Sequence, residues 1–286
     1  MKIGLIGHSH SVCLMDALGG WRDRFVSGPL EAKEGYSSAF DGWDSGETGK
    51  GLIRLAGRKI GSVAADLTCA ILTNNHPDFS LIRTENENGN VRIEPTPTLV
   101  QACRGFRDCD LIVSIMFGNE LSTKTWIDHL PPYDFVEDSL PGPLRPGAQP
   151  IDRQYIGQTL ADYVGRVLMT CIVMRQHCPR APIVHVLSPP PLEDASHTQH
   201  LEVFAEAMAK FGLIDPRLRL KWYRAYANAM LNMLRQAGIA VMRAPAAAVT
   251  DKGFLRAELS EGLTHGNARY GAMLWDAIAA ALAPAN

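Results

Sequence analysis

The sequence predicts an α/β protein, a three-layer α/β/α sandwich with a mostly parallel sheet, from three observations. Short apolar runs alternate with longer segments of helical period. One run, Leu111-Ile112-Val113-Ser114-Ile115-Met116-Phe117, is almost continuously apolar, as expected of a strand covered on both faces. Another, Lys2-Ile3-Gly4-Leu5-Ile6, passes through a short turn directly into a helical pattern.

Strands are placed at 2–6, 110–117, 182–187 and 238–242. One more is placed between Asp78 and Glu94, where Phe79-Ser80-Leu81-Ile82 and Val91-Arg92-Ile93 flank an Asn/Gly-rich turn. A helix begins at Val12, Leu14, Met15, Ala17 and Leu18. Ile156, Leu160, Tyr163, Val164, Val167, Cys171 and Met174 repeat at three-and-four spacing and define a long helix over about 155–177. Tyr223, Tyr226, Ala227, Met230 and Leu234 define another just before the strand at 238. Tyr270, Met273, Leu274, Ala277, Ile278 and Ala281 define the last, with Asn267 as its N-cap. Between 131 and 150 stand Pro131, Pro132, Pro141, Pro143, Pro146 and Pro150, so that stretch is read as a loop or lid. With no internal repeat and no charged linker, residues 1–286 are read as one domain carrying this excursion.

Composition sets the outer limits. Of 286 residues, 46% are hydrophobic and 20% charged, which excludes a disordered chain. A net charge of −2 argues against a dedicated nucleic-acid binder, and the five tryptophans lack basic interleaving. The six cysteines, Cys13, Cys69, Cys103, Cys109, Cys171 and Cys178, contain no C-x-x-C pair and read as reduced core thiols. No apolar run reaches the roughly 20 residues needed for a membrane span, and the cytoplasm is the default location. The glycines from Gly42 to Gly61 match neither dinucleotide nor P-loop spacing, so no cofactor is implied. His8 and His10, or His197 and His200, have spacings that two metal ligands can use, but no third and fourth ligand accompany them, so no metal site is assigned. His185, in an apolar strand, reads as a core histidine.

Three strand-end features carry chemistry. After the first strand comes Gly7-His8-Ser9-His10-Ser11; a serine there stands at the sheet's carboxyl edge, beside a helix N-terminus, and is either a nucleophile or a helix cap. After the apolar strand comes Phe117-Gly118-Asn119-Glu120, where Asn119 is either an oxyanion donor or an ordinary turn residue. Before the last helix comes Leu263-Thr264-His265-Gly266-Asn267, where His265 is either a general base or a surface histidine.

In this order, and with this placement, the three features resemble the SGNH hydrolases, the GDSL lipase/esterase superfamily, over residues 1 to about 282. Gly7-His8-Ser9 is similar to the family's Gly-Asp-Ser block, with His8 in the place of Asp. Phe117-Gly118-Asn119-Glu120 is similar to its Gly-x-Asn-Asp block, and His265, followed by Asn267, Tyr270 and Gly271, to its last block. The strand Ile183-Val184-His185-Val186-Leu187, running into Ser188-Pro189-Pro190-Pro191, also resembles the strand that precedes the family's last helices.

The resemblance implies a flavodoxin-like sheet, Ser9 as nucleophile, His265 as its base, and Asn119 with the Ser9 N–H as oxyanion donors. It implies an esterase or deacylase acting on a small-molecule or carbohydrate ester, with acyl transfer to another alcohol or a non-catalytic binding protein as rivals. Two departures stand out. The family's acid falls three residues before the histidine, where this chain has Gly262; either Glu261 takes that role, with Glu258 nearby, or His265 is oriented by a backbone carbonyl in a dyad. The family's oxyanion glycine has six competing matches: Gly42, Gly46, Gly49, Gly57, Gly61 and Gly89.

Overall fold

The computed structural model describes residues 1–19, 52–72, 80–87, 90–117, 125–195 and 205–282. Its centre is a six-stranded sheet. β1 (Lys2–Gly7) pairs in parallel with β3 (Val63–Ile71) on one side and with β6 (Leu111–Ile115) on the other. β9 (Ile183–Val186) and β10 (Ala240–Met242) follow in parallel beyond β6. Counting the parallel strands alone gives the order 2-1-3-4-5, the flavodoxin-like arrangement. An antiparallel strand, β2 (Ile53–Ile60), is added at the edge beyond β3. The strands expected at 2–6, 110–117, 182–187 and 238–242 are therefore β1, β6, β9 and β10.

Two strands of this sheet were not expected. β2 and β3 form a hairpin whose side chains alternate between buried apolar positions, such as Leu55, Leu67 and Cys69, and exposed polar ones, such as Arg54, Lys59 and Asp66. The charges break any continuous apolar run, and only the end of β3, Cys69 to Ile71, is buried on both faces. A register shift between Leu55 and Arg58, with Gly57 at φ +62°, puts a bulge in the edge strand. The expected strand between Asp78 and Glu94 is a separate two-stranded hairpin, β4 (Ile82–Glu87) with β5 (Asn90–Pro95), outside the central sheet.

Helices cover both faces. On one lie α2 (Pro97–Phe106), α3 (Arg153–His177) and α5 (Pro216–Gln236), which share a core with Ile6, Ala70 and Ile112. On the other lie α1 (Val12–Leu18) and α6 (Ala268–Leu282), packed on Ile3, Leu5, Leu67 and Val113. The short α4 (Ala205–Phe211) precedes α5. The helix starts follow capping chemistry: the Asp152 and Asp215 carboxylates accept from Gln154 N and from Arg217 N and Leu218 N, and Pro216 takes the first position of α5, where a missing N–H costs nothing.

The proline-rich stretch 131–150 is mostly irregular, and it is docked as a strap on α5. Its β7 (Tyr133–Asp134) and β8 (Gln149–Pro150) pair with each other. The buried Asp134 carboxylate accepts from Lys221 Nζ at 2.6 Å, from Phe135 N at 2.7 Å and from Arg145 N at 2.8 Å, so its charge is shared among several donors. Trp222 Nε1 donates to Tyr133 OH at 2.9 Å.

All six cysteines are buried and unbridged. Among the described residues, no helix is long and apolar enough to cross a membrane.

The contact between α1 and α6 is unusually close. A Cβ on Gly271 would fall 1.9 Å from the Cys13 carbonyl oxygen, and Trp275 Nε1 donates to the Leu14 carbonyl at 2.8 Å. Gly271→Ala should therefore lower the thermal midpoint by roughly 2–12 °C, because overpacking against backbone cannot relax by a rotamer change. Gly165→Ala, in α3 with open space around it, should leave the midpoint unchanged or raise it. Thermal unfolding of the two variants checks both expectations.

Candidate active site

β1 ends at Gly7, where any side chain would strike β6: a Cβ there would meet the Ile115 carbonyl oxygen at 2.6 Å. This close approach lets the chain turn at once into a 3-10 turn over Ser9–Ser11 and then into α1. The turn is held from within, since the His8 carbonyl accepts from both Ser11 N at 2.8 Å and Ser11 Oγ at 2.6 Å. Ser9 thus stands beyond the carboxyl end of β1, next to the carboxyl end of β6. That is the point in a flavodoxin-like sheet where the strand order reverses and ligands bind.

His265 reaches the same place from the far end of the chain. Ser260–Glu261 (β11) and His265–Gly266 (β12) make a two-residue antiparallel ladder. Gly262 turns the corner at φ +66°, in the left-handed region that favours glycine. Asn267 closes the loop: its Oδ1 accepts from Arg269 N and Tyr270 N as the cap of α6, while its Nδ2 donates to the Glu258 carbonyl. Packing α6 on α1 then sets the imidazole against the serine, with His265 Nε2 2.8 Å from Ser9 Oγ.

The imidazole is oriented on its other side as well. Nδ1 lies 2.9 Å from Thr264 Oγ1. With the hydrogen on Nδ1, the threonine oxygen accepts it and Nε2 is left to accept from Ser9. The buried ring of His10, in the same turn as Ser9, stacks on that of His265 with centroids 4.6 Å apart. Burial pushes the His265 pKa down to about 4, since the charged imidazolium is the form that desolvation penalises. Glu261 is exposed and stands opposite His265 in the β11–β12 register.

Sequence reasoning missed a role for His8. The side chain is buried, its Nδ1 accepts from Phe117 N at 3.0 Å, and the two rings pack with centroids 4.5 Å apart. Phe117 itself holds φ +61°, an uncommon state for a bulky residue, at the point where the chain leaves β6. His8 therefore ties the serine turn to Phe117, at the end of β6. The cue in the sequence was a histidine in the place of the resembled motif's aspartate. Asn119 itself lies outside the described residues, as do His197, His200, Gly42, Gly46, Gly49 and Gly89. Gly57 and Gly61 lie on the β2–β3 hairpin at the opposite, amino-terminal edge of β1 and β3, so neither can serve Ser9.

No protein-family model and no curated protein sequence matches this chain. Solved structures similar to it include a GDSL-like lipase from Bacteroides thetaiotaomicron, at 7% identity and a TM-score of 0.44, with 98% of this chain and 86% of that one covered. The periplasmic domain of a lipopolysaccharide acetyltransferase from Salmonella ser. Paratyphi A is similar at 11% identity and a TM-score of 0.45, with 98% and 83% covered. A carbohydrate acetylesterase from Sinorhizobium meliloti is similar at 14% identity and a TM-score of 0.41, with 99% and 98% covered. Likeness at this level does not carry an activity across; the site's own residues must do so.

Beside the pair lies a cavity reached by His10 and Thr264 and walled by Trp126, Tyr163, Trp222 and Arg219, among others. No residue of the strap lines it; the strap backs one wall through the Tyr133–Trp222 hydrogen bond. Farther into the sheet, the fully buried His185 is a core histidine as expected, with Nδ1 3.0 Å from Ser114 Oγ and a pKa pushed down by burial to about 3.

Both depressed histidines oppose folding in acid. The unfolded chain protonates them near pH 6.5, whereas the folded chain keeps them neutral until about 4 and 3. Stability should therefore be full above 6.5 and fall as pH drops through that window. The slope approaches about 1.4 kcal/mol per pH unit for a histidine as buried as His185. Urea midpoints measured between pH 7 and 5 should fall, and His185→Gln should flatten the fall.

Proposed function

We infer that the chain is a serine esterase or deacylase of the SGNH type, cleaving a carboxylic ester through an acyl-serine intermediate. The observation that carries this reading is the 2.8 Å contact between Ser9 Oγ and His265 Nε2, made across 256 positions of sequence at the carboxyl edge of the sheet. A helix cap has no need of such a partner; a nucleophile does.

The chemistry follows from the geometry. His265 Nε2 takes the proton as Ser9 Oγ attacks the ester carbonyl carbon, and the carbonyl oxygen becomes an oxyanion held by the Ser9 backbone N–H and Asn119. Collapse expels the alcohol, which receives the proton from His265. Water then attacks the acyl-serine with His265 again as base, releasing the acid and restoring the serine. The low pKa of His265 keeps the base unprotonated down to about pH 4. In this reading Thr264 is the positioning residue that fixes the imidazole, through the hydroxyl 2.9 Å from Nδ1. Asn119 follows Phe117 by two residues, and the bond from Phe117 N to His8 holds the start of that segment beside Ser9.

A fluorophosphonate probe should label the wild-type chain, and labelling should vanish in Ser9→Ala and drop in His265→Ala. A folded wild-type chain that takes no label would leave a binding protein instead of an enzyme. Asn119→Ala should slow hydrolysis of a short-chain aryl ester about 100- to 1,000-fold without loss of fold, the usual effect of removing one oxyanion donor. Comparing kcat for Thr264→Val and Glu261→Gln identifies the orienting group. The larger loss is expected in Thr264→Val; a larger loss in Glu261→Gln would assign the role to the carboxylate.

A further inference from the structure

The 3-10 turn that carries Ser9 carries a second side chain of consequence. Ser9 is half-buried, whereas His10 is only 2% exposed. The backbone of His10 is fixed at the start of α1: its carbonyl accepts from Cys13 Sγ at 3.2 Å, and the Ser9 carbonyl before it accepts from Val12 N. The His10 ring lies on the ring of His265, with centroids 4.6 Å apart and planes inclined by 29°. An imidazole gives up hydration when it is buried, and an apolar side chain of similar bulk would fill the space at less cost. What the imidazole adds, and a leucine lacks, is a flat face on which another ring can lie.

The base has need of such a face. Two contacts hold it at the ring edge, Nε2 to Ser9 Oγ at 2.8 Å and Nδ1 to Thr264 Oγ1 at 2.9 Å. Thr264 precedes His265 on the same loop, so that contact travels with the ring it steadies. The serine contact lasts only until attack. Once Oγ is bonded to the acyl carbon, the proton on Nε2 has to be aimed at the leaving alcohol, and later Nε2 has to face the incoming water. The serine hydroxyl no longer holds the ring through those steps. The stack does not depend on that hydroxyl. Because His10 follows Ser9 in one turn, the stack ties the imidazole to the same piece of chain that carries the acyl group.

We propose that His10 is a second positioning residue for the base: its ring, stacked on that of His265, keeps Nε2 aimed at the group bonded to Ser9 after the serine hydrogen bond is lost. The catalytic part of the proposal rests on Ser9 being the nucleophile; the orientation of the His265 ring by His10 does not. The role belongs to the flat ring and not to its nitrogens, which separates it from a proton relay through His10.

The test uses His10→Leu, which keeps apolar bulk without a flat face, and His10→Phe, which keeps the face without the nitrogens, both in the full chain. With competent sites counted by fluorophosphonate labelling, kcat for para-nitrophenyl acetate should fall about 10- to 100-fold in His10→Leu at nearly unchanged KM, the scale of a misdirected reacting group. His10→Phe should retain most of kcat. Loss of folded protein alone would lower the number of labelled sites and the thermal midpoint, not kcat per labelled site. Equal kcat in His10→Leu and wild type, or a loss as large in His10→Phe as in His10→Leu, overturns the proposal. A second readout needs no turnover: the nitrogen NMR shifts of the His265 ring, assigned by comparison with His265→Gln. In the wild type and in His10→Phe, Nδ1 should read as protonated and Nε2 as an acceptor. In His10→Leu the two should move toward a common value as the tautomers exchange. If the wild type takes no label but the shifts behave in this way, the esterase reading falls and the orienting role of His10 stands. If the two nitrogens already share a common value in the wild type, or do not move in His10→Leu, the proposal falls. Should His10→Leu not fold, the comparison of wild type with His10→Phe still decides: retained kcat supports the flat ring, and lost kcat overturns it.

Discussion

The close seating of α6 on α1 is the contact on which the site depends. Ser9 is fixed by the turn that starts α1, and His265 by the loop that starts α6. The two loops meet where the His10 ring stacks on that of His265. The 2.8 Å separation of Ser9 and His265 depends as well on how the two helices lie on each other, and Gly271 against the Cys13 carbonyl sets how closely they approach. The Trp275–Leu14 hydrogen bond fixes the slide of one helix along the other. An error of an ångström in either coordinate would break the hydrogen bond between nucleophile and base, so packing remote from the chemistry carries the precision the chemistry needs.

Around this contact the local geometry is held by short polar links rather than by extended structure. Gly7 lets β1 and β6 meet without a side chain between them, His8 reaches across to Phe117 N, and Asn267 ties β11 to the start of α6 through the Ser260 carbonyl. The imidazole sits among these links with a hydroxyl on Nδ1 and a second imidazole on its face. That environment favours the neutral ring. A base that stays neutral in acid is available over a wide pH range, but its weak basicity means that the serine proton is transferred only as attack proceeds.

Much of this was legible in the sequence, and the exceptions have physical causes. β1, β6 and β9 were visible because strands buried on both faces read as continuous apolar runs, and the edge strand β10 because a short apolar run follows directly on a helical pattern. α3, α5 and α6 were visible because each buries one stripe. The β2–β3 hairpin was not visible, since Arg54, Lys59 and Asp66 interrupt its apolar positions. Ser9 and His265 could be picked out as strand-end residues, but their pairing could not, because sequence spacing says nothing about two helices 256 positions apart. Gly262 explains why the expected acid is absent at that position: the turn's corner takes a positive φ. His8 escaped for a different reason, as it acts through an atom whose partner comes from a distant part of the chain.

The bulged edge strand has a consequence for how copies of this protein can meet. A sheet edge is a row of open backbone donors and acceptors onto which another chain can add. Here β2 offers a register broken between Leu55 and Arg58, with Arg54, Arg58 and Lys59 along it, while the opposite edge, β10, is three residues long. A strand laid along β2 would lose alignment within a few residues and draw three cations together, and one laid along β10 would find little to bond. Among the described residues, then, the sheet is terminated on both sides. Neither edge of the central sheet therefore offers a long, regular strand for another copy to pair with.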